Sequence, residues 1–233
     1  MRKTQLAILA VALAAAGSAR ASLTVIIDTP NPSQIVTLTV TPAPLSAVPA
    51  FGPGGVYAGI YNETIDGVFT PSFCIDVAHD VYVGQTFNDY SYAALSAAPD
   101  TPAGPMGAAT AIDIEKLWAK YYTAAQADSS GVTAAALQVA IWKVEGGGQP
   151  LGNGNPGYTV TESDSAGVST LVATMLTALP GLTAEADLVA IVSPDGQSYV
   201  VAVPEATTMV AGALLLLPFG ASTLRILRRK RMA

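Results

Sequence analysis

Val132-Thr133-Ala134-Ala135-Ala136-Leu137-Gln138-Val139-Ala140-Ile141-Trp142 is apolar almost all the way round a helix, with one amide, Gln138, in its middle. A helix of that kind has no face suited to water and belongs inside a core. An amide carried in with it must find a hydrogen-bond partner or incur about 1–3 kcal/mol of desolvation. The second informative stretch is Ser72-Phe73-Cys74-Ile75-Asp76. It holds the only cysteine of the chain, so no intramolecular disulfide is available.

Strand signals lie upstream of that helix. Leu23–Ile27 and Gln34–Val40 are rich in Val, Ile and Thr, residues that suit a pleated sheet. Gly55–Ile65 alternates loosely, Asp66-Gly67 marks a hairpin turn, and Val68–Val77 is the return strand carrying Cys74. Val81–Tyr92 offers a further strand. The period then changes from 2 to 3.6. Thr110-x-x-Asp113 has the form of a capping box ahead of Ile114, Leu117, Trp118 and Tyr121. Asp128-Ser129-Ser130 closes that helix and caps the one holding Gln138. Thr161-x-x-Asp164 is expected to open a third helix with Val168, Leu171, Val172, Met175, Leu176 and Leu179 on one stripe, stopped by Pro180-Gly181. Leu188–Val192, the turn Ser193-Pro194-Asp195-Gly196 and Tyr199–Val203 form a last hairpin. Strands, three helices, then strands imply an α+β fold: an antiparallel β-sandwich or barrel with a three-helix insertion.

The two ends are of another kind. Arg2 and Lys3 precede an apolar run, Leu6–Ala16, and Ala19-Arg20-Ala21 supplies small residues at signal-peptidase spacing, so residues 1–21 are a signal peptide cut between Ala21 and Ser22. At the other end residues 207–224 are uncharged and apolar over a length that suits a bilayer core of about 30 Å. Arg225, Arg228, Arg229, Lys230 and Arg231 follow, which orients that helix with its tail in the cytoplasm. Between these ends lies a body, residues 22–203, with three lysines (Lys116, Lys120, Lys143) against 16 acids, a net of −13. Such a surface repels nucleic acid and anionic membrane. One cysteine and one histidine cannot complete a tetrahedral zinc site, and no cofactor motif is present.

The Phe73-Cys74-Ile75 segment and Gln138-x-Ala140-Ile141-Trp142 together resemble the thioester domains of bacterial surface adhesins, over residues 54–203. The resemblance implies that the Cys74 thiol and the Gln138 amide condense into an internal thioester with loss of ammonia. It also implies attack by a surface-protein amine or an exopolysaccharide hydroxyl, giving a covalent adduct at Gln138. Trp142 and Phe73 are the expected shields of the bond, with Tyr57 and Tyr61 beside them. Val203-Pro204-Glu205-Ala206 ahead of the apolar span and basic tail resembles a PEP-CTERM sorting signal in residues 204–233, with Ala206 where that family has its second proline. An exosortase is thereby implied, with the inner membrane as an intermediate station and the cell surface or matrix as the destination. Two other readings stand beside this one. The first is a non-covalent matrix protein using the same export route. The second is a cysteine hydrolase or transpeptidase in which Cys74 is the nucleophile, which would need His79 as base and Asp80 to orient it. On one continuous strand, His79 would face away from Cys74.

Overall fold

The apolar helix is where the burial pattern says it must be. In the computed structural model, which describes residues 22–41, 55–77, 79–99, 104–147, 159–163 and 167–203, it spans Val132–Gly146 and every residue from Ala134 to Trp142 is buried. We call it α2. Helices α1 (Ala108–Ala127) and α3 (Val168–Ala178) pack on it. So do two sheets. One is a closed six-stranded barrel in the order β1-β4-β5-β9-β8-β6, and the other is a three-stranded sheet, β3-β2-β7. The strands are β1 Leu23–Ile27, β2 Ser33–Thr41, β3 Val56–Gly59, β4 Tyr61–Ile65, β5 Val68–Cys74, β6 Thr86–Ala93, β7 Thr159–Ser163, β8 Leu188–Val192 and β9 Tyr199–Ala202. The fold is therefore α+β, with an antiparallel barrel and the three helices inserted between β6 and β8.

The described residues up to Val201 belong to one compact unit. Of the sorting residues only Val203 is described, and it is exposed. Ala21, Pro204, Glu205, Ala206 and the apolar span 207–224 lie outside the described residues. Among those described, no helix is long and apolar enough to cross a membrane.

Closing a sheet into a barrel places alternate residues inside. In β1 these are Leu23, Val25 and Ile27, all buried. Asp66 and Gly67, with φ of 48° and 82°, form the β4–β5 hairpin expected of that pair. The Gly55–Ile65 stretch differs from a single strand: it breaks at Ile60, so that β3 joins the second sheet and β4 the barrel. Gly59 is needed at the break because a Cβ there would collide with Pro32 O and Ser33.

Two helix starts also differ from expectation. The helix α1 begins at Ala108, after Gly107 at φ 84°, so Thr110 lies inside it and forms no capping box. Ala108 and Ala109 are strong helix formers and carry the helix upstream. Thr161 does not open α3; it lies in β7, paired with Thr39 of β2, and Asp164 is outside the described residues. The β-branched run Thr159-Val160-Thr161 favours a strand once a β-branched partner is available. Lys143 and Glu162, 2.6 Å apart, tie β7 to α2. Asp128 does cap α2: its carboxylate accepts from the Thr133 amide at 2.9 Å. Those hydrogen bonds, with the ones from Ser130, hold its pKa well below the usual carboxylate range.

Candidate thioester site

Cys74 ends β5, where the barrel loses a strand. Ser72 stands opposite Tyr61 of β4, and the same register two residues on would place Gly59 opposite Cys74. Gly59 instead faces Ser33 in the second sheet. Ile75 N–H donates to Ser198 O on the β9 side. By the alternation of an antiparallel ladder, the Cys74 N–H and C=O then point away from β9, toward the missing partner. Buried backbone groups left so would cost about 1–3 kcal/mol each.

Gln138, 64 residues away, takes both. Cys74 N–H donates to Gln138 Oε1 at 2.9 Å, and Gln138 Nε2 donates to Cys74 O at 2.8 Å. A carboxamide carries one acceptor and a donor at the spacing of a peptide group, so it substitutes for a strand residue. No carboxylate or alkyl chain can do this.

The thiol sits beside that contact, fully buried. Trp142 Nε1 donates to Cys74 Sγ at 3.3 Å. The Asp76 amide is also 3.3 Å from the sulfur, and the thiol in turn faces Asp76 O at 3.3 Å. Trp142 lies one turn after Gln138 on the same face of α2, so one rigid helix sets both the amide and the indole. Burial pushes the Cys74 thiol well above its usual range, and the neighbouring carboxylates of Asp76 and Glu145 push the same way. The Asp76 and Trp142 N–H donors act against both. The thiol is therefore protonated at neutral pH.

Phe73 is placed differently. Neighbours on a strand face opposite ways, and its ring meets Trp118 (5.3 Å, edge-on) and Tyr122 of α1. The cover over the sulfur thus comes from Trp142, not Phe73. Tyr57, Tyr61, Asp76, Asp80, Tyr82 and Trp142 are among the residues around a cavity of about 410 Å³. Tyr61 is buried and donates to Tyr57 O at 2.8 Å.

His79 is partly buried. The strand ends at Cys74, so strand parity no longer governs it. Its Nδ1 lies 2.8 Å from Oδ2 of the buried Asp76, not against Asp80. The same Asp76 oxygen accepts from the Ser198 amide at 3.3 Å. Gln197 Nε2 donates to Asp76 O and His79 O, both at 3.1 Å. Asp76 and His79 are therefore stapled to Gln197 and Ser198, just ahead of β9. Asp76 was legible as a neighbour of the thiol, two residues on, but nothing in the sequence marks Gln197 or Ser198.

Comparison with family models, with curated proteins and with solved structures returns no match for this chain.

Proposed function

We propose that Cys74 and Gln138 form an internal thioester and that the protein uses it to attach covalently to a partner surface. The thiol sulfur adds to the Gln138 carboxamide carbon, the C–N bond breaks, and the thiol proton leaves with the amide nitrogen as ammonia. A primary amine, or less readily a hydroxyl, later attacks the acyl carbon. It displaces Cys74 as a thiol and leaves an amide or ester at Gln138.

The observation that carries this reading is the double contact of the Gln138 amide with Cys74, with the Trp142 N–H on the sulfur. Reacting groups already fixed in a dry site need little further ordering. The acceptance of the Cys74 N–H by Oε1 polarises the carbonyl in the sense that addition requires. The cavity beside Trp142 offers a way in for a small nucleophile, and a body of net −13 attracts cationic amines. A hydrolytic role is less well supported, because burial keeps the thiol neutral.

Intact mass tests the reading. The purified body is expected to weigh one ammonia less than its sequence. Methylamine should add across the bond and free one thiol, and Cys74→Ala should abolish both effects. A wild-type mass equal to the sequence, with Cys74 alkylated once the protein is unfolded, would leave a non-covalent matrix protein instead.

The ends suggest export by signal peptidase and exosortase, through an inner-membrane intermediate, to the cell surface or matrix. This proposal rests on Val203-Pro204-Glu205-Ala206 ahead of the apolar span and five bases. The mature chain is expected to begin at Ser22 and to lack residues 207–233. Terminal peptide mapping that finds Arg225–Arg231 on surface-exposed protein would refute the sorting step and leave a membrane anchor.

A further inference from the structure

The sulfur of Cys74 has two N–H donors aimed at it, and a neutral buried thiol needs neither. We propose that the Trp142 indole N–H and the Asp76 main-chain N–H form a two-donor cradle that stabilises the sulfur as it departs as a thiolate, making Trp142 a catalytic residue of acyl transfer as well as a cover. The proposal rests on the thioester reading above and assigns the part played at the step where the bond opens.

The chemistry requires such a device. An amine nitrogen attacks Gln138 Cδ and the carbonyl electrons move to Oε1. As the carbonyl re-forms, the C–S bond breaks and its electron pair stays on sulfur. The proton shed by the attacking nitrogen then neutralises the thiolate. While it exists, that anion lies where no solvent reaches: Cys74 is 0% and Trp142 3% exposed. Its surroundings are unfavourable to negative charge, with the carboxylates of Asp76 and Glu145 acting on it. Among the described residues no side-chain cation acts on the thiol, and two of the three lysines there are paired elsewhere, Lys116 with Asp113 and Lys143 with Glu162. Fixed donors at 3.3 Å are what remains to stabilise the charge, and donors set before the reaction need no reorganisation when charge develops. A neutral thiol is a weak acceptor and a thiolate a strong one, so both contacts strengthen as the bond breaks. That is the requirement for lowering a barrier and not merely tightening a ground state.

Two replacements separate this role from shielding. Trp142→Phe keeps an aromatic cover and removes the donor. The thianaphthene analogue of tryptophan, with sulfur in place of N–H, removes the donor while keeping the shape. Both proteins are expected to lose ammonia, if more slowly than wild type because the same sulfur passes the same donors as the bond forms, and cooperative unfolding is the separate check that they fold. Opening by methylamine, followed by intact mass, is expected to be roughly 10- to 100-fold slower in each. The thiol freed by methylamine should also react several-fold more slowly with iodoacetamide, although phenylalanine leaves more room for it. Opening at the wild-type rate in the two variants overturns the cradle and leaves the thioester reading standing. A wild-type protein that never loses ammonia overturns both, and the two failures are told apart by that mass alone.

Discussion

In a Cys74→Ala background, Gln138→Ala is expected to lower stability by about 3–5 kcal/mol, measured by chemical denaturation. With the thiol gone no thioester can form, so this loss reports only the non-covalent work of the amide. Cys74→Ala leaves the Cys74 main chain in place, and Gln138 holds that main chain, not the side chain. Removing the amide strands a buried N–H and a buried C=O, at about 1–3 kcal/mol each, and adds a cavity in a fully buried helix. Gln138→Glu in the same background should cost at least as much above about pH 8–9, where the introduced acid is ionised; below that, held neutral as Glu63 is, it can still donate. A carboxylate cannot donate to Cys74 O, and it would bring an uncompensated charge into the core. A loss below about 1 kcal/mol for both changes would mean that Gln138 does not replace the missing strand. The comparison also isolates the covalent bond: whatever wild type has over Cys74→Ala, beyond the packing of one sulfur, belongs to the cross-link.

Glu63 should give the barrel a pH dependence that one substitution removes. It is fully buried inside the barrel, where the Ser72 hydroxyl donates to its Oε2. Its Oε1 has no hydrogen-bond partner among the described residues. Burial raises its pKa from 4.5 to about 8, against the lowering effect of the Ser72 hydrogen bond. The folded state therefore holds a proton that the unfolded chain has already lost. Below pH 4.5 both states are protonated and Glu63 adds no slope. Between 4.5 and 8 the unfolded state ionises alone, and stability falls as pH rises, by up to about 1.4 kcal/mol per unit. Above 8 the loss is complete. Glu63→Gln is expected to match wild type near pH 4.5 and to exceed it by a few kcal/mol at pH 8–9. Parallel stability curves for the two proteins across that range would show that Glu63 is charged in the fold.

Much of the architecture follows from local pattern. The run from Val132 to Trp142 has no polar face, so it had to be enclosed, and it is the helix on which both sheets and the other two helices meet. Leu23–Ile27 alternates, Asp66-Gly67 turns, and Ser193–Gly196 turns again. Each is a property of a few adjacent residues, and each appears in place. The candidate pair was legible for the same reason: one cysteine, and one amide where an amide should not be.

What sequence could not supply was the choice of partners. A strand's alternation is the same whichever sheet it joins, so nothing local distinguishes Val56–Gly59, which pairs with β2, from Tyr61–Ile65, which pairs with β1 and β5. The run at Thr161 can be a helix start or a strand, and only the arrival of β2 made it β7. Nothing in the sequence marks Glu63 as buried; closure of the barrel puts it inside. The decisive case is the break at Ile60. It removes Gly59 from the side of Cys74 and leaves an N–H and a C=O that a side chain from another part of the chain must satisfy. Sequence made Gln138 a buried amide in search of a partner. The tertiary structure decided that the partner is the main chain of Cys74, because there two sheets part and a peptide-like group is the one shape that completes the ladder.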